Sequence, residues 1–260
     1  MEFEDLLYEE RDNTAYITIN RPKVYNAFRG QTVEDMILAF QRAGWNNDLG
    51  SIVLGGVGDK AFCTGGDQSV HDGQYDGRGT TGMPVDELHT IIRDVPKPVI
   101  ARVQGYAIGG GNVLAFLCDM TIASESAIFG QVGPKMGSVD PGWGTAYLAH
   151  VVGEKKAREI WCMCKRYSAE EALEMGLINA VVPDDKLDQE VADWCAELNK
   201  RSPTAISIAK KSINADSEHI RGIGSLGFQA LKLYYESEES QEGVRSFMEK
   251  REPDFRKYVK

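Results

Sequence analysis

The chain has no apolar run approaching the roughly 20 residues of a membrane span, so no spanning helix is expected. Its opening residues, Met1-Glu2-Phe3-Glu4-Asp5, are acidic where a secretory signal would be basic, and the expectation is a cytoplasmic protein. Histidine is scarce. His71, His89, His150 and His219 are scattered, with no spacing suited to a metal. The five cysteines are an odd set without framework spacing, which argues for reduced thiols. Cys162-Met163-Cys164 comes nearest to a ligand pair, but it lacks a second pair and follows a helical run over 155–161, so buried thiols are the simpler reading. No metal is expected. Positive charge is in deficit: 29 Lys and Arg against 39 Asp and Glu give a formal net charge of −10. That balance excludes an extended nucleic-acid-binding face while leaving room for a local basic patch on a small phosphorylated ligand. A low-complexity linker and an obvious repeat are also missing.

What is there suits one large domain, since 260 residues can bury a substantial core. Residues 14–19 alternate and are β-branched, the pattern of a strand, and 31–43 place Val33, Met36, Ile37 and Phe40 at helical spacing. Strands are expected at 51–54, 99–103 and 119–123, with helices at 86–93 and 110–117 between them. Pro96-Lys97-Pro98 separates the helix at 86–93 from the next strand. Such alternation predicts an α/β core of repeated crossovers. From residue 142 the chain turns mostly helical, with helices expected at 142–151, 154–164, 169–175, 186–200, 203–215 and 220–236 and one strand at 178–182. Ser168-Ala169-Glu170-Glu171 reads as a capping box, and Ser202-Pro203 as an N-cap followed by proline at the first helical position.

Two glycine clusters, Cys63-Thr64-Gly65-Gly66-Asp67 and Ile108-Gly109-Gly110-Gly111-Asn112, can present bare backbone N–H donors. Gly110 would open a helix, where unpaired N–H groups and the dipole favour an anion. A thioester enolate needs two such donors, and glycine lets substrate lie against the backbone. Tight turns and close packing are the plainer reading of the same glycines. Downstream, Gln131 to Gly144 holds one carboxylate, Asp140, in a Gly/Pro-rich loop ahead of a helix. As a bare residue it reads either as a helix N-cap or as an acid for proton transfer.

With these residues the sequence resembles the crotonase (enoyl-CoA hydratase/isomerase) superfamily over nearly its whole length. The likeness runs through Ile19-Asn20-Arg21-Pro22, Asn26-Ala27-Phe28, both glycine clusters, Pro96-Lys97-Pro98-Val99-Ile100-Ala101, Gly105-Tyr106-Ala107 and the segment 172–182. It implies an α/β fold, with a crotonase-like ββα spiral core over 1–200 and a helical C-terminal trimerisation region over 201–260. It also implies an acyl-CoA substrate and a homotrimer or homohexamer, with neither nucleic acid nor membrane as partner. Gly66 and Gly110 match the oxyanion donors, Asp67 is expected to brace that loop, and Lys23, Val24 and Lys250 stand where coenzyme A contacts are expected. The family's hydratases carry two glutamates where this chain has Val113 and Gly133. Neither residue can transfer a proton, so simple hydration is not expected.

Gln131, Ser138, Asp140, Trp143, Tyr235 and 250–255 resemble a narrower branch of the family, the dihydroxynaphthoyl-CoA synthases and 2-ketocyclohexanecarboxyl-CoA hydrolases. Segments 138–142, 164–168, 230–235 and 255–260 look closer to the hydrolases. The resemblance implies hydrolytic ring cleavage of a cyclic β-keto acyl-CoA, with 2-ketocyclohexane-1-carboxyl-CoA giving pimeloyl-CoA. Ring closure of o-succinylbenzoyl-CoA is the alternative, and a noncatalytic acyl-CoA- or RNA-binding relative a third. Asp140 would be the general base, Tyr235 a donor to the ketone, Ser138 an orienting hydroxyl and Tyr75 a residue reaching over the site. Gln131, Gly133 and Trp143 would line a substrate or anion pocket. No covalently bound cofactor is expected; coenzyme A enters with the substrate, and bicarbonate only in a synthase.

Overall fold

Alternation in the first strands sets up the sheet on which everything else is hung. The computed structural model describes residues 2–70, 75 and 77–259. Strand β1 (Leu6–Arg11) pairs antiparallel with β2 (Thr14–Ile19), whose Ala15, Ile17 and Ile19 point into the core. Helix α1 (Gly30–Trp45) then buries Val33, Met36, Ile37 and Phe40, the face expected from their spacing.

Three strand pairs follow, each succeeded by a helix. They are β3 (Ser51–Gly56) and β4 (Ala61–Cys63) with α2 (Val85–Asp94), β5 (Val99–Val103) and β6 (Tyr106–Ile108) with α3 (Gly110–Leu117), and β7 (Met120–Ser124) and β8 (Ile128–Gly130) with α4 (Gly133–Met136). The first strand of each pair joins a six-stranded sheet in the order β1-β2-β3-β5-β7-β10, where β10 is Ala180–Val182. The second joins a four-stranded sheet, β4-β6-β8-β9, closed by β9 (Arg166–Ser168) running antiparallel to β8. Neighbours from β2 to β10 in the larger sheet are parallel. The short strands β4, β6 and β8 carry the glycine clusters and Gln131 at their C-terminal ends, which gathers segments far apart in the chain at one sheet edge.

The continuous helix expected over 142–151 is broken in two. Trp143–Tyr147 is a π turn and α5 (Leu148–Val152) follows it. The Tyr147 N–H reaches back to the Gly142 carbonyl at 3.1 Å, and the Gly144 N–H is taken by the Asp140 side chain at 3.0 Å. That competing acceptor, with Gly142 at φ 78°, diverts the ordinary helical start.

The remaining helices are α6 (Glu154–Met163), α7 (Ala169–Glu174), α8 (Leu187–Asn199), α9 (Pro203–Asp216), α10 (Ile220–Tyr235) and α11 (Glu238–Met248). Both expected start signals form. The Ser168 N–H donates to Glu171 at 2.8 Å while the Glu171 N–H donates to Ser168 Oγ at 3.2 Å, and Ser202 Oγ accepts from the Ala205 N–H. The C-terminal helices pack back on the same core. Lys210 of α9 is buried with Nζ 2.7 Å from Asp119 and bonded to the carbonyls of Ile92 and Lys97. Phe228, Leu231 and Tyr235 of α10 join the main hydrophobic cluster. Among the described residues no helix is long and apolar enough to cross a membrane.

Candidate active site

The first glycine cluster is pinned open by its neighbours. The Phe28 N–H donates to the Gly65 carbonyl at 2.8 Å, and the Asp67 N–H donates to the Phe28 carbonyl at 2.9 Å, leaving Gly66 between them. Gly65 sits at φ 84°, and a Cβ there would come within 2.9 Å of the Gly110 nitrogen, so only glycine lets the two clusters meet. Asp67 accepts from the Ser69 N–H at 3.0 Å and Ser69 Oγ at 2.6 Å, and pairs with Arg21 at 2.9 Å. Burial pushes its carboxyl up, but the Ser69 bonds and Arg21 hold it below the ordinary range. Asp67 is therefore a brace, as expected. Among the described residues neither the Gly66 nor the Gly110 N–H has an acceptor in the protein. Gly110 opens α3, so its N–H has no helical partner, and the dipole adds to its pull on an anion.

Asp140 stands on another wall of the same cavity, with 13% of its side chain exposed. Gly144 allows it to fold back, since a Cβ at that position would lie 2.5 Å from the Asp140 Cβ. Burial raises the Asp140 carboxyl to about 7, only partly offset by the Gly144 N–H. Near neutral pH it therefore exchanges a proton readily, the property a general base requires. His89 of α2 lies behind it, fully buried, with Nε2 3.7 Å from Oδ2. Burial drives the imidazole down to about 3, so it is neutral and the pair is no salt bridge. Composition singled out His89 only as one of four scattered histidines. Its place on the buried face of a helix is the one signal available, and that signal equally suits a core residue.

Ser138 and Tyr235 meet on the same wall, Oγ to Oη at 2.8 Å. Burial pushes the Tyr235 phenol up to about 12, against the Ser138 bond, so it remains a proton donor. Tyr75 is buried with its hydroxyl over Gly66, where any Cβ would strike it, and Gln68 Nε2 lies 3.4 Å from that oxygen. Burial raises its phenol strongly. Of the polar loop around Tyr75, residues 71–74 and 76 lie outside the described residues.

Gln131, 1% exposed, lines the cavity, and its Nε2 has no partner among the described residues. Gly133 is glycine for lack of space: a Cβ would fall 2.6 Å from the Ser138 carbonyl oxygen and 2.7 Å from the Trp161 ring. The tryptophan of this corner is Trp161, whose Nε1 donates to the Gly144 carbonyl at 2.7 Å. Trp143 was expected here. The π turn instead buries it under the Arg93 guanidinium, 4.4 Å from the ring centroid, and edge-on to Tyr147, off the cavity wall. Val113, wholly buried in α3, is not a wall residue either.

The cavity encloses about 630 Å³. Its inner lining includes Met83, Val85, Phe228 and Leu231, while Lys135 and Arg166 are exposed and are the only basic side chains among its described lining residues. Val24 lines it; Lys23, in the same short turn, is exposed and does not, and Lys250 is likewise exposed beyond α11. The Val244 and Phe247 side of α11, which lies beyond the last helix expected from the sequence, forms part of the lining. Among the described residues no group of three or more His, Cys, Asp or Glu is placed to hold a metal.

Two unpaired backbone N–H donors and a buried carboxylate around one apolar cavity define the equipment of an enzyme that stabilises an oxyanion while moving a proton. Residues 9–258 match the enoyl-CoA hydratase/isomerase family, and the chain belongs to it, an acyl-CoA-processing crotonase-fold protein. Its structure is similar to an enoyl-CoA hydratase from Mycobacterium avium subsp. paratuberculosis K-10, at 28% identity and TM-score 0.87, covering 98% of this chain and 99% of that one. It is also similar to an enoyl-CoA hydratase subunit I from Geobacillus kaustophilus HTA426, at 30% identity and TM-score 0.77, with the same coverage of 98% and 99%. A methylmalonyl-CoA decarboxylase shares the fold at 23% identity and TM-score 0.84, again with 98% and 99% covered.

Proposed function

We propose that this protein hydrolyses a carbon–carbon bond in a cyclic β-keto acyl-CoA, with 2-ketocyclohexane-1-carboxyl-CoA giving pimeloyl-CoA. The observation that carries this reading is Asp140, an acid that burial raises to about 7, on the cavity that also holds the Gly66 and Gly110 donors. Water loses a proton to the Asp140 carboxylate as its oxygen bonds to the ring ketone carbon. Tyr235, held by Ser138, donates to the ketone oxygen. The tetrahedral intermediate collapses to a carboxyl group, and the bond to the α-carbon breaks. Its electron pair becomes the thioester enolate, whose oxygen sits against the Gly66 and Gly110 N–H groups, worth roughly 3–4 kcal/mol each in such sites. Asp140 then returns its proton to the α-carbon, and one water has been consumed overall.

Hydration, named for two of the similar structures, finds little support in these residues. Val113 is sealed in the core and Gly133 has no room for a side chain, so the two acids that the family resemblance assigns to hydratases have no counterpart. The wall around Met83, Val85, Phe228 and Leu231 suits an alicyclic ring.

The synthase reading has one observation in its favour, the Gln131 Nε2, without a hydrogen-bond partner among the described residues, in the lining it shares with Gly133 and Trp161, which suits a small anion such as bicarbonate. Against it, o-succinylbenzoyl-CoA carries a carboxylate, and the basic residues of the described lining are exposed ones. Assay with 2-ketocyclohexanecarboxyl-CoA, o-succinylbenzoyl-CoA with and without bicarbonate, and crotonyl-CoA separates these readings. Pimeloyl-CoA from the first substrate alone is the expected result. Naphthoyl product alone would sink the proposal, and coenzyme A binding without any turnover would favour a noncatalytic role.

The proposal extends to association of copies as a homotrimer or homohexamer. Ile208, Ile213, Leu226 and Leu233 on α9 and α10 are exposed apolar residues suited to such contacts. Sedimentation at micromolar concentration tests this, and a monomer would overturn it.

A further inference from the structure

Asp140 has two carboxylate oxygens, one of them in a firm hydrogen bond. Oδ1 accepts from the Gly144 N–H at 3.0 Å, whereas the nearest basic nitrogen to Oδ2 is His89 Nε2 at 3.7 Å. That distance is too long for a hydrogen bond but within the small closure that catalytic pairs undergo when substrate fills a site. The other ring nitrogen, Nδ1, is buried and has no partner among the described residues. A neutral imidazole carries one N–H. Placing it on Nδ1 would bury an unpaired donor, while placing it on Nε2 points it at the carboxylate and leaves only a bare acceptor behind.

We propose that His89 is a positioning residue that donates Nε2–H to Asp140 Oδ2, so that the carboxylate is held between it and the Gly144 amide. His89 is not a wall of the cavity and never takes a proton itself. It acts through Asp140, keeping the acid deprotonated and aimed despite its burial. Among the described residues Tyr235 also feels the Asp140 charge, and its hydroxyl is bonded to Ser138. Helix α2 packs on α1, α3 and α10. On α1, Glu34 is paired with Arg78, Asp35 accepts from the Glu4 and Asp5 amides, and Arg42 is paired with Glu10. Helix α3 has no ionisable side chain. On α10, Arg221 is paired with Asp94, Lys232 is exposed, Tyr234 is half-buried and Tyr235 is bonded to Ser138. Within α2 itself, Asp86 is half-buried, Glu87 pairs with Arg78, and Arg93 is stacked on Trp143 and Tyr147.

This inference rests on Asp140 being the working base, so its test is chosen to read Asp140 without turnover. The Asp140 carboxyl is followed by 13C NMR across pH in aspartate-labelled protein, assigned with Asp140→Asn. His89→Leu removes the donor and is expected to raise the Asp140 midpoint by about one pH unit. His89→Gln, whose amide can occupy the Nε2 position, is expected to bring it back towards the parent value. In kinetics the acid limb of kcat/KM should move with the NMR midpoint while KM stays nearly constant. An unmoved midpoint in folded His89→Leu, or equal midpoints in the Leu and Gln variants, would overturn the proposal. Should His89→Leu fail to fold, His89→Asn, whose amide stops short of Oδ2, takes its place. Inactivity on every substrate with a shifted midpoint would instead count against the ring-cleavage reading and leave the role of His89 standing.

Discussion

Ser138 Oγ and Tyr235 Oη are 2.8 Å apart, a hydrogen bond that ties the Asp140 loop to the C-terminal end of α10 across 97 positions of sequence. The phenol is buried and pushed up to about 12, so it donates throughout the accessible pH range. Tyr235→Phe removes only the oxygen. The expected result is a kcat reduced by roughly 10²-fold or more with little change in KM, since the donor serves the ketone in the transition state. Urea unfolding should show a loss of about 1 kcal/mol, the net worth of one hydrogen bond. A variant as active as the parent would exclude Tyr235 from the reaction.

Asp140→Asn is expected to abolish turnover and stabilise the fold at alkaline pH. The folded carboxyl titrates at about 7, above its ordinary 3.8. Between those values the native state holds a proton that the unfolded chain has released, so stability falls as pH rises through that window. Asparagine avoids the buried charge. At pH 8 the gain should be on the order of 2–4 kcal/mol, shrinking as pH falls and vanishing only well below the ordinary 3.8, where both states of the parent are protonated. Denaturation midpoints across that pH range measure it, and equal midpoints for parent and variant at pH 8 would show the carboxylate is not destabilised.

The pH profile carries its own expectation. Activity requires the Asp140 carboxylate, so kcat/KM should rise with pH and level off above about 7. His89 adds no limb near its ordinary 6.5, because burial holds it neutral down to about 3. A descending limb between pH 6 and 8 would point to a different acid.

Gly133→Glu restores an acid where the family's hydratases are expected to have one, yet it should not create a hydratase. Its Cβ would lie 2.6 Å from the Ser138 carbonyl oxygen and 2.7 Å from the Trp161 ring. Overpacking of this kind costs about 1–3 kcal/mol and should displace Ser138, lowering any native turnover. Crotonyl-CoA hydration, followed by the loss of enoyl-thioester absorbance, should stay at background. Efficient hydration would mean that the loop yields more readily than its packing indicates.

Much of this protein was legible before folding. Residues 14–19 and 31–43 gave a strand and a helix within two residues at either end, because alternation and helical spacing are local properties of a segment. Glycines 65, 66 and 110 and the acid at 140 stood out because their chemistry differs from their surroundings. Strands β4, β6 and β8, three residues each, are too short to show a period, and they are the strands that bring the glycines and Gln131 together.

Residue type and periodicity thus specified the α/β plan and set Gly66, Gly110 and Asp140 apart as candidates, whose roles are what the family resemblance implies. Packing decided the rest. The π turn put Trp161 in the cavity corner and Trp143 beneath Arg93, reversing the expected choice of tryptophan. Helix α2 brought His89 behind Asp140, and the burial shared by those two side chains raised the acid towards neutrality. Local sequence can nominate a carboxylate, but its affinity for a proton depends on the water that distant segments exclude.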